Sequence, residues 1–133
     1  MRSVISRALA LIAIFALSAS ALAGGNLAPQ TSSQSGVTVK VTPRSLSGSA
    51  WEFAVVFDTH SQDLKDDPVK SAVLVVDGGA PSTATGWEGD APGGHHRKGV
   101  LRFKATAASP ANVELRLHRP AESEPRVFRW QLR

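Results

Sequence analysis

From residue 37 onward, apolar and polar residues alternate in short blocks separated by turn-forming residues. Val37, Val39 and Val41 alternate with Thr38, Lys40 and Thr42, a period of two that predicts a half-buried strand ending before Pro43. Residues 45–49, with Gly48 among them, read as a turn. Trp51, Phe53, Val55 and Phe57 then share one face of a long second strand, with Glu52, Ala54, Val56 and Asp58 on the other. Residues 72–76 form a continuous Val-rich run, the pattern of a buried central strand, and the run stops at Asp77-Gly78-Gly79. Residues 83–87 predict a short strand, and Val100, Leu101 and Phe103 open another. Val113, Leu115 and Leu117 alternate with Glu114, Arg116 and His118. The last strand, 127–132, points Phe128, Trp130 and Leu132 one way and Arg129 and Gln131 the other.

Six or seven such strands at nearly regular spacing, with no amphipathic helix, predict an all-β fold. The expected form is an antiparallel two-sheet sandwich, immunoglobulin-like in architecture, in which each sheet hides its apolar face against the other. A small barrel is the second choice. The Cys–Trp–Cys core of antibody domains is missing, since the chain has no cysteine.

Residues 1–23 follow a different rule. Arg2 and Arg7 precede an apolar run over 8–17, and Ala21-Leu22-Ala23 supplies the small-x-small pattern accepted by signal peptidase. This predicts a cleavable signal peptide. The run is shorter than the roughly 20 apolar residues that span a bilayer, so no membrane span is expected after its removal. Taking 23 residues from 133 leaves 110, enough for one domain. The expected layout is a flexible Pro-, Gln- and Ser-rich leader over 24–35, then a monomeric sandwich over 36–133, located in the periplasm or the medium.

The lack of cysteine excludes disulfides, thiolate zinc sites and thiol catalysis. Without Arg2 and Arg7 the charge is 13 basic against 11 acidic residues, a net of +2. The cations are scattered along strands with no stacking aromatics between them, so nucleic acid is not an expected partner.

Two loops, 58–67 and 87–97, carry residues that folding alone does not require, including three of the four histidines. Asp58 and His60 are two apart at a strand end and share a face. Gly93-Gly94 gives the chain conformational freedom just before His95 and His96. If the loops meet at one end of the sandwich, Asp58, His60, His95 and His96 make a ligand set suited to zinc or copper, for which neutral imidazole is a common donor. Adjacent histidines on an extended strand face opposite ways, so both reach one ion only from a non-extended loop. The competing assignment has His60 and His95 bonded to loop backbone and His96 solvated. Asp58, Asp63, Asp66 and Asp67 offer oxygen donors for calcium, but without EF-hand spacing. Arg97 and Lys98 favour an anion over a cation.

A second reading makes the same loops a docking surface for another envelope protein, with Trp87 and Arg97 as contact residues. Trp87 also suits a plug on the open end of the core. The amino-terminal copper geometry needs His at the third mature position, where Gly24-Gly25-Asn26 has none, so any likeness to the small periplasmic copper carriers is architectural. Catalysis finds little footing. Neighbouring His60 and Ser61 point apart on a strand, no Gly-x-Ser-x-Gly follows residue 23, and Glu88 with Asp90 read as turn residues. The expectation is a non-enzymatic binding protein.

The segments Asp58-Thr59-His60-Ser61-Gln62-Asp63-Leu64 and Trp87-Glu88-Gly89-Asp90-Ala91-Pro92-Gly93-Gly94-His95-His96-Arg97 resemble those of a family of exported bacterial β-sandwich proteins. The resemblance runs from about Gly36 to Leu132. It implies that the two loops act as one site, and it implies no particular chemistry.

Overall fold

The computed structural model describes residues 27–133; the expected signal peptide and the start of the leader lie outside the described residues. The strands are β1 (Gln30–Gln34), β2 (Val37–Ser45), β3 (Ala50–Thr59), β4 (Ala72–Val76), β5 (Ser82–Thr83), β6 (Gly86–Gly89), β7 (His96–Lys104), β8 (Asn112–Leu117) and β9 (Arg126–Gln131). A single helical turn, α1 (Pro68–Ser71), precedes β4, with Asp67 as its cap accepting from the Val69 N–H at 3.0 Å. Among the described residues no helix is long and apolar enough to cross a membrane.

The strands form two antiparallel sheets, ordered β1-β2-β3-β7-β6 and β5-β4-β8-β9. The alternation read from the sequence decides how they pack. Strand β3 buries Trp51, Phe53, Val55 and Phe57, and β7 buries Leu101 and Phe103 beside them. From the second sheet come Leu74, Leu115, Phe128 and Trp130, and all of these belong to one core. Phe53 meets Phe103 edge-on at 5.7 Å and reaches across to Trp130 at the same centroid distance. Each such side chain contributes about 1.5–3 kcal/mol on burial. The two sheets therefore make a sandwich with a single apolar interior.

Strand β7 begins at His96 and not at Val100, which shortens the expected 87–97 loop, and three further features depart from the sequence expectation. Strand β2 continues through Pro43. Strand β1 stops opposite Val41, so no neighbour on that side needs the missing proline N–H, and the β2–β3 ladder slips between Pro43 and Ser45. The stretch 83–87 is not one strand. Ser82–Thr83 pairs with β4 in one sheet, the chain crosses at buried Ala84, and Gly86–Gly89 pairs with β7 in the other. Alternation alone cannot reveal a change of sheet, because a lone Ala between Thr83 and Thr85 fits a period of two as well in one strand as at a crossing.

The third departure is β1 itself, which occupies part of the expected flexible leader. It carries no apolar side chain, so hydrophobic patterning is blind to it. Polar contacts hold it instead. The buried Arg126 guanidinium donates to the carbonyls of Ser32, Gln34 and Val37 at 2.8–2.9 Å. The Gln30 side-chain amide pairs with both backbone groups of Arg129, and Trp130 Nε1 donates to the Ala28 carbonyl at 2.8 Å. These contacts close the seam between the edge of one sheet and the edge of the other.

Candidate functional site

The pole of the sandwich where β3 ends and β7 begins gathers both loops. Their backbones are laced together: Thr59 N donates to His95 O at 2.9 Å, Leu64 N to Gly94 O at 3.0 Å, and Gly93 N to Leu64 O at 2.8 Å. The Asp63 carboxylate adds a bond from the Gly94 N–H at 2.7 Å. Gly93 and Gly94 have φ of 116° and 78°, conformations that let the loop turn tightly enough to present these groups. Leu64, fully buried, pins the first loop to the core.

Strand register brings one pair of candidate ligands into contact. Asp58 and His96 face each other across β3 and β7, and His96 Nδ1–H donates to Asp58 Oδ1. Both side chains remain about half exposed, at 53% and 58%. The pair ends a polar row across four strands, since Ser33 is opposite Thr38 and Thr38 is opposite Asp58. Ser33 Oγ and Thr38 Oγ1 share a hydrogen bond of 2.9 Å.

The other two candidates are not drawn in. His60 is exposed at the bend after β3, and His95, also exposed, contributes its backbone carbonyl to loop closure. Among the described residues no three His, Cys, Asp or Glu side chains are grouped so as to hold one ion. His95 stands at the bend just before β7, and His96 is the first residue of that strand. The loop carboxylates have other work. Asp66 accepts from Arg119 Nε and Nη2 at 3.2 Å each, and Asp67 caps α1. The Lys65 ammonium, with help from the Gly94 N–H, holds the Asp63 carboxyl below the usual aspartate range.

Trp87 and Arg97, expected as contacts for a partner, are engaged within the domain. Arg97 is 3% exposed. Its Nε donates to Asp90 O at 3.1 Å, its Nη1 to Asp66 O at 2.6 Å, and its guanidinium lies 5.4 Å from the Trp87 ring centroid. Trp87 packs against Phe57 at 6.4 Å, and its Nε1 donates to Asp90 O at 3.1 Å. The physical reason is the guanidinium fork: it bridges the Asp90 carbonyl of one loop and the Asp66 carbonyl of the other, and the indole lies against its face. Glu88 is bound to Arg102, which also holds Glu52.

One cluster escaped the sequence reading. Glu122, in the loop between β8 and β9, accepts from Arg126 Nε at 2.8 Å and Nη2 at 2.7 Å, from Arg119 at 3.2 Å and from Gln34 at 3.2 Å. Hydrogen bonding from Arg126 holds the Glu122 carboxyl below its ordinary range against the opposing effect of burial. For Arg119, burial acts to lower the pKa, and Asp66 and Glu122 outweigh it and raise it. The sequence does hold a signal. Arg126 stands two residues before Phe128 and four before Trp130, an inward-facing position where a charge is rare unless paired.

No protein-family model matches the chain, and neither a curated protein nor a solved structure matches it.

Proposed function

We propose that this chain is an exported, non-enzymatic binding protein that takes a divalent transition metal, zinc or copper, at its histidine pole. His96 is the principal ligand. The observation that carries the reading is the hydrogen bond between Asp58 and His96. A carboxylate on Nδ1–H fixes the tautomer and ring orientation, and it leaves the Nε2 lone pair for a metal; this is the partner that metal-binding imidazoles ordinarily have. Asp58 then acts by orienting His96, and direct coordination falls to the histidines. His60 and His95, exposed on the two laced loops, are the candidate further donors once the loops adjust, with water completing a tetrahedral set.

Several further elements support the same picture. The order β2-β3-β7-β6 opposite β4-β8-β9 corresponds to the ABED and CFG sheets of an immunoglobulin-like domain. Export to the periplasm or medium rests on the charged and apolar pattern of residues 1–23. The non-enzymatic reading rests on the order of the polar row. Asp58 stands between the Ser33–Thr38 hydroxyls and His96, so the imidazole does not face a hydroxyl it could deprotonate.

The test is a titration of the mature domain with zinc and with copper(II) while the thermal midpoint is followed. A bound ion raises the midpoint in a concentration-dependent way, by about 2.7 kcal/mol of added stability at a hundredfold excess over Kd. The rise is expected in the wild type and absent in His96→Ala. No rise with either metal removes this reading. The alternative is docking of another envelope protein through the same loops, with half-buried Trp87 as a contact residue and Arg97, buried, bracing the loops from within.

A further inference from the structure

Strand β1 is attached without any hydrophobic face. Its sequence, Gln30-Thr31-Ser32-Ser33-Gln34, buries no apolar side chain, whereas the adjacent β2 buries Val37, Val39 and Val41. Everything that fixes it is polar: a five-pair ladder to β2, the Arg126 bonds to its carbonyls, the Gln30 clamp on Arg129, and the Gln34 bond to Glu122. Each of these contacts can be made just as well by the same segment of a second molecule.

The connection to β2 favours opening. Ser35 and Gly36 form a two-residue turn with φ of 51° and 72°. Left-handed backbone suits glycine but is unfavourable for serine. Short turns under strain are the sites where an element exchanges between identical chains. From the apolar-free strand, the polar seam and the strained turn together, we infer that residues 28–34 exchange between two copies of this chain. In the exchanged dimer, β1 of each copy pairs with β2 of the other and lies along the other's β9, while Ser35 and Gly36 extend as the hinge. Departure of β1 would otherwise leave β2 as an open edge, which favours pairing with another strand. The hinge lies at the histidine pole, where Thr59 Oγ1 donates to Gly36 O at 2.8 Å, so exchange sets the two poles side by side.

The absence of cysteine makes a direct test available. Ser33 and Thr38 are cross-strand partners with their hydroxyls 2.9 Å apart, so Ser33→Cys with Thr38→Cys introduces one well-placed pair. The variant is concentrated to the millimolar range, warmed below its midpoint, separated into monomer and dimer, and each fraction is oxidised. The monomer is expected to close an intrachain disulfide and the dimer to run as a covalent dimer on a non-reducing gel. In an otherwise wild-type chain, Ser35→Gly relieves the hinge and is expected to lower the dimer association constant by roughly tenfold. A dimer whose disulfides are all intrachain, or no dimer at any concentration, overturns the inference.

Discussion

Asp58 and His96 sit opposite each other on adjacent antiparallel strands, and the carboxylate accepts a hydrogen bond from Nδ1 of the imidazole at the rim of the histidine pole. Their meeting is set by register, since a slip of one residue between β3 and β7 would turn one of them to the other face. If Asp58 orients His96 for coordination, Asp58→Asn keeps the fold and weakens zinc binding by about 10- to 100-fold. Competition against a chromogenic chelator measures this. An unchanged affinity would leave Asp58 without a role at the site.

The buried Arg119–Glu122–Arg126 cluster predicts a pH dependence. Glu122 is more acidic in the folded chain than its ordinary value of 4.5, chiefly because Arg126 bonds its carboxylate. A carboxyl with a lowered folded pKa contributes stability that is complete above the unfolded value and fades as pH falls through the folded one. Wild-type stability should therefore drop more steeply than that of Glu122→Gln as pH is lowered from about 5 to 3. At neutral pH the same variant, which leaves two buried guanidinium groups underpaired, should cost about 3–5 kcal/mol. Urea denaturation at several pH values reads both effects.

Gly99 and Trp87 set a second test, on packing. A Cβ at Gly99 would lie 2.5 Å from Trp87 Cζ2 and 2.8 Å from the Glu88 carbonyl oxygen. Gly99→Ala is expected to push the indole out of its seat and lower stability by about 1–3 kcal/mol. A neutral result in urea denaturation would mean that Trp87 is not packed as described.

Arg97 joins both loops to the core, which separates it from an exposed contact residue. Arg97→Lys keeps the charge but loses the fork that reaches both Asp90 O and Asp66 O. The expected outcome is a loss of about 1–3 kcal/mol and faster hydrogen exchange at the Leu64 amide, whose acceptor is Gly94 O. Unchanged exchange at Leu64 would show that the loops are held without Arg97.

Much of the fold was legible because alternation is written into the strands. Trp51 through Phe57 announce a half-buried strand, and residues 72–76 announce a buried one, so the all-β sandwich follows from the burial of one face per sheet. Strand β1 was not legible, since Gln, Thr and Ser carry no hydrophobic period and pair only because Arg126 and Gln30 hold them. The change of sheet at Ala84 was hidden because Thr83, Ala84 and Thr85 keep a polar–apolar alternation that a single strand would also show. Of the candidate ligands, Asp58 with His96 depends on register between strands 38 residues apart, which no local spacing encodes. Arg97 looked like surface because cations usually are, and its burial depends on carbonyls from Leu64, Asp66 and Asp90 converging on it.

The most direct measurement is the nitrogen-15 NMR spectrum of the His96 ring in the protein, recorded before and after adding zinc. The account predicts that Nδ1 keeps its proton and its bond to Asp58 throughout, with the Nε2 resonance moving to a metal-bound position on zinc addition and needing more zinc to do so in Asp58→Asn. An Nε2 resonance that stays unmoved in the wild type, or a free ring protonated on Nε2 with Nδ1 bare, would contradict it.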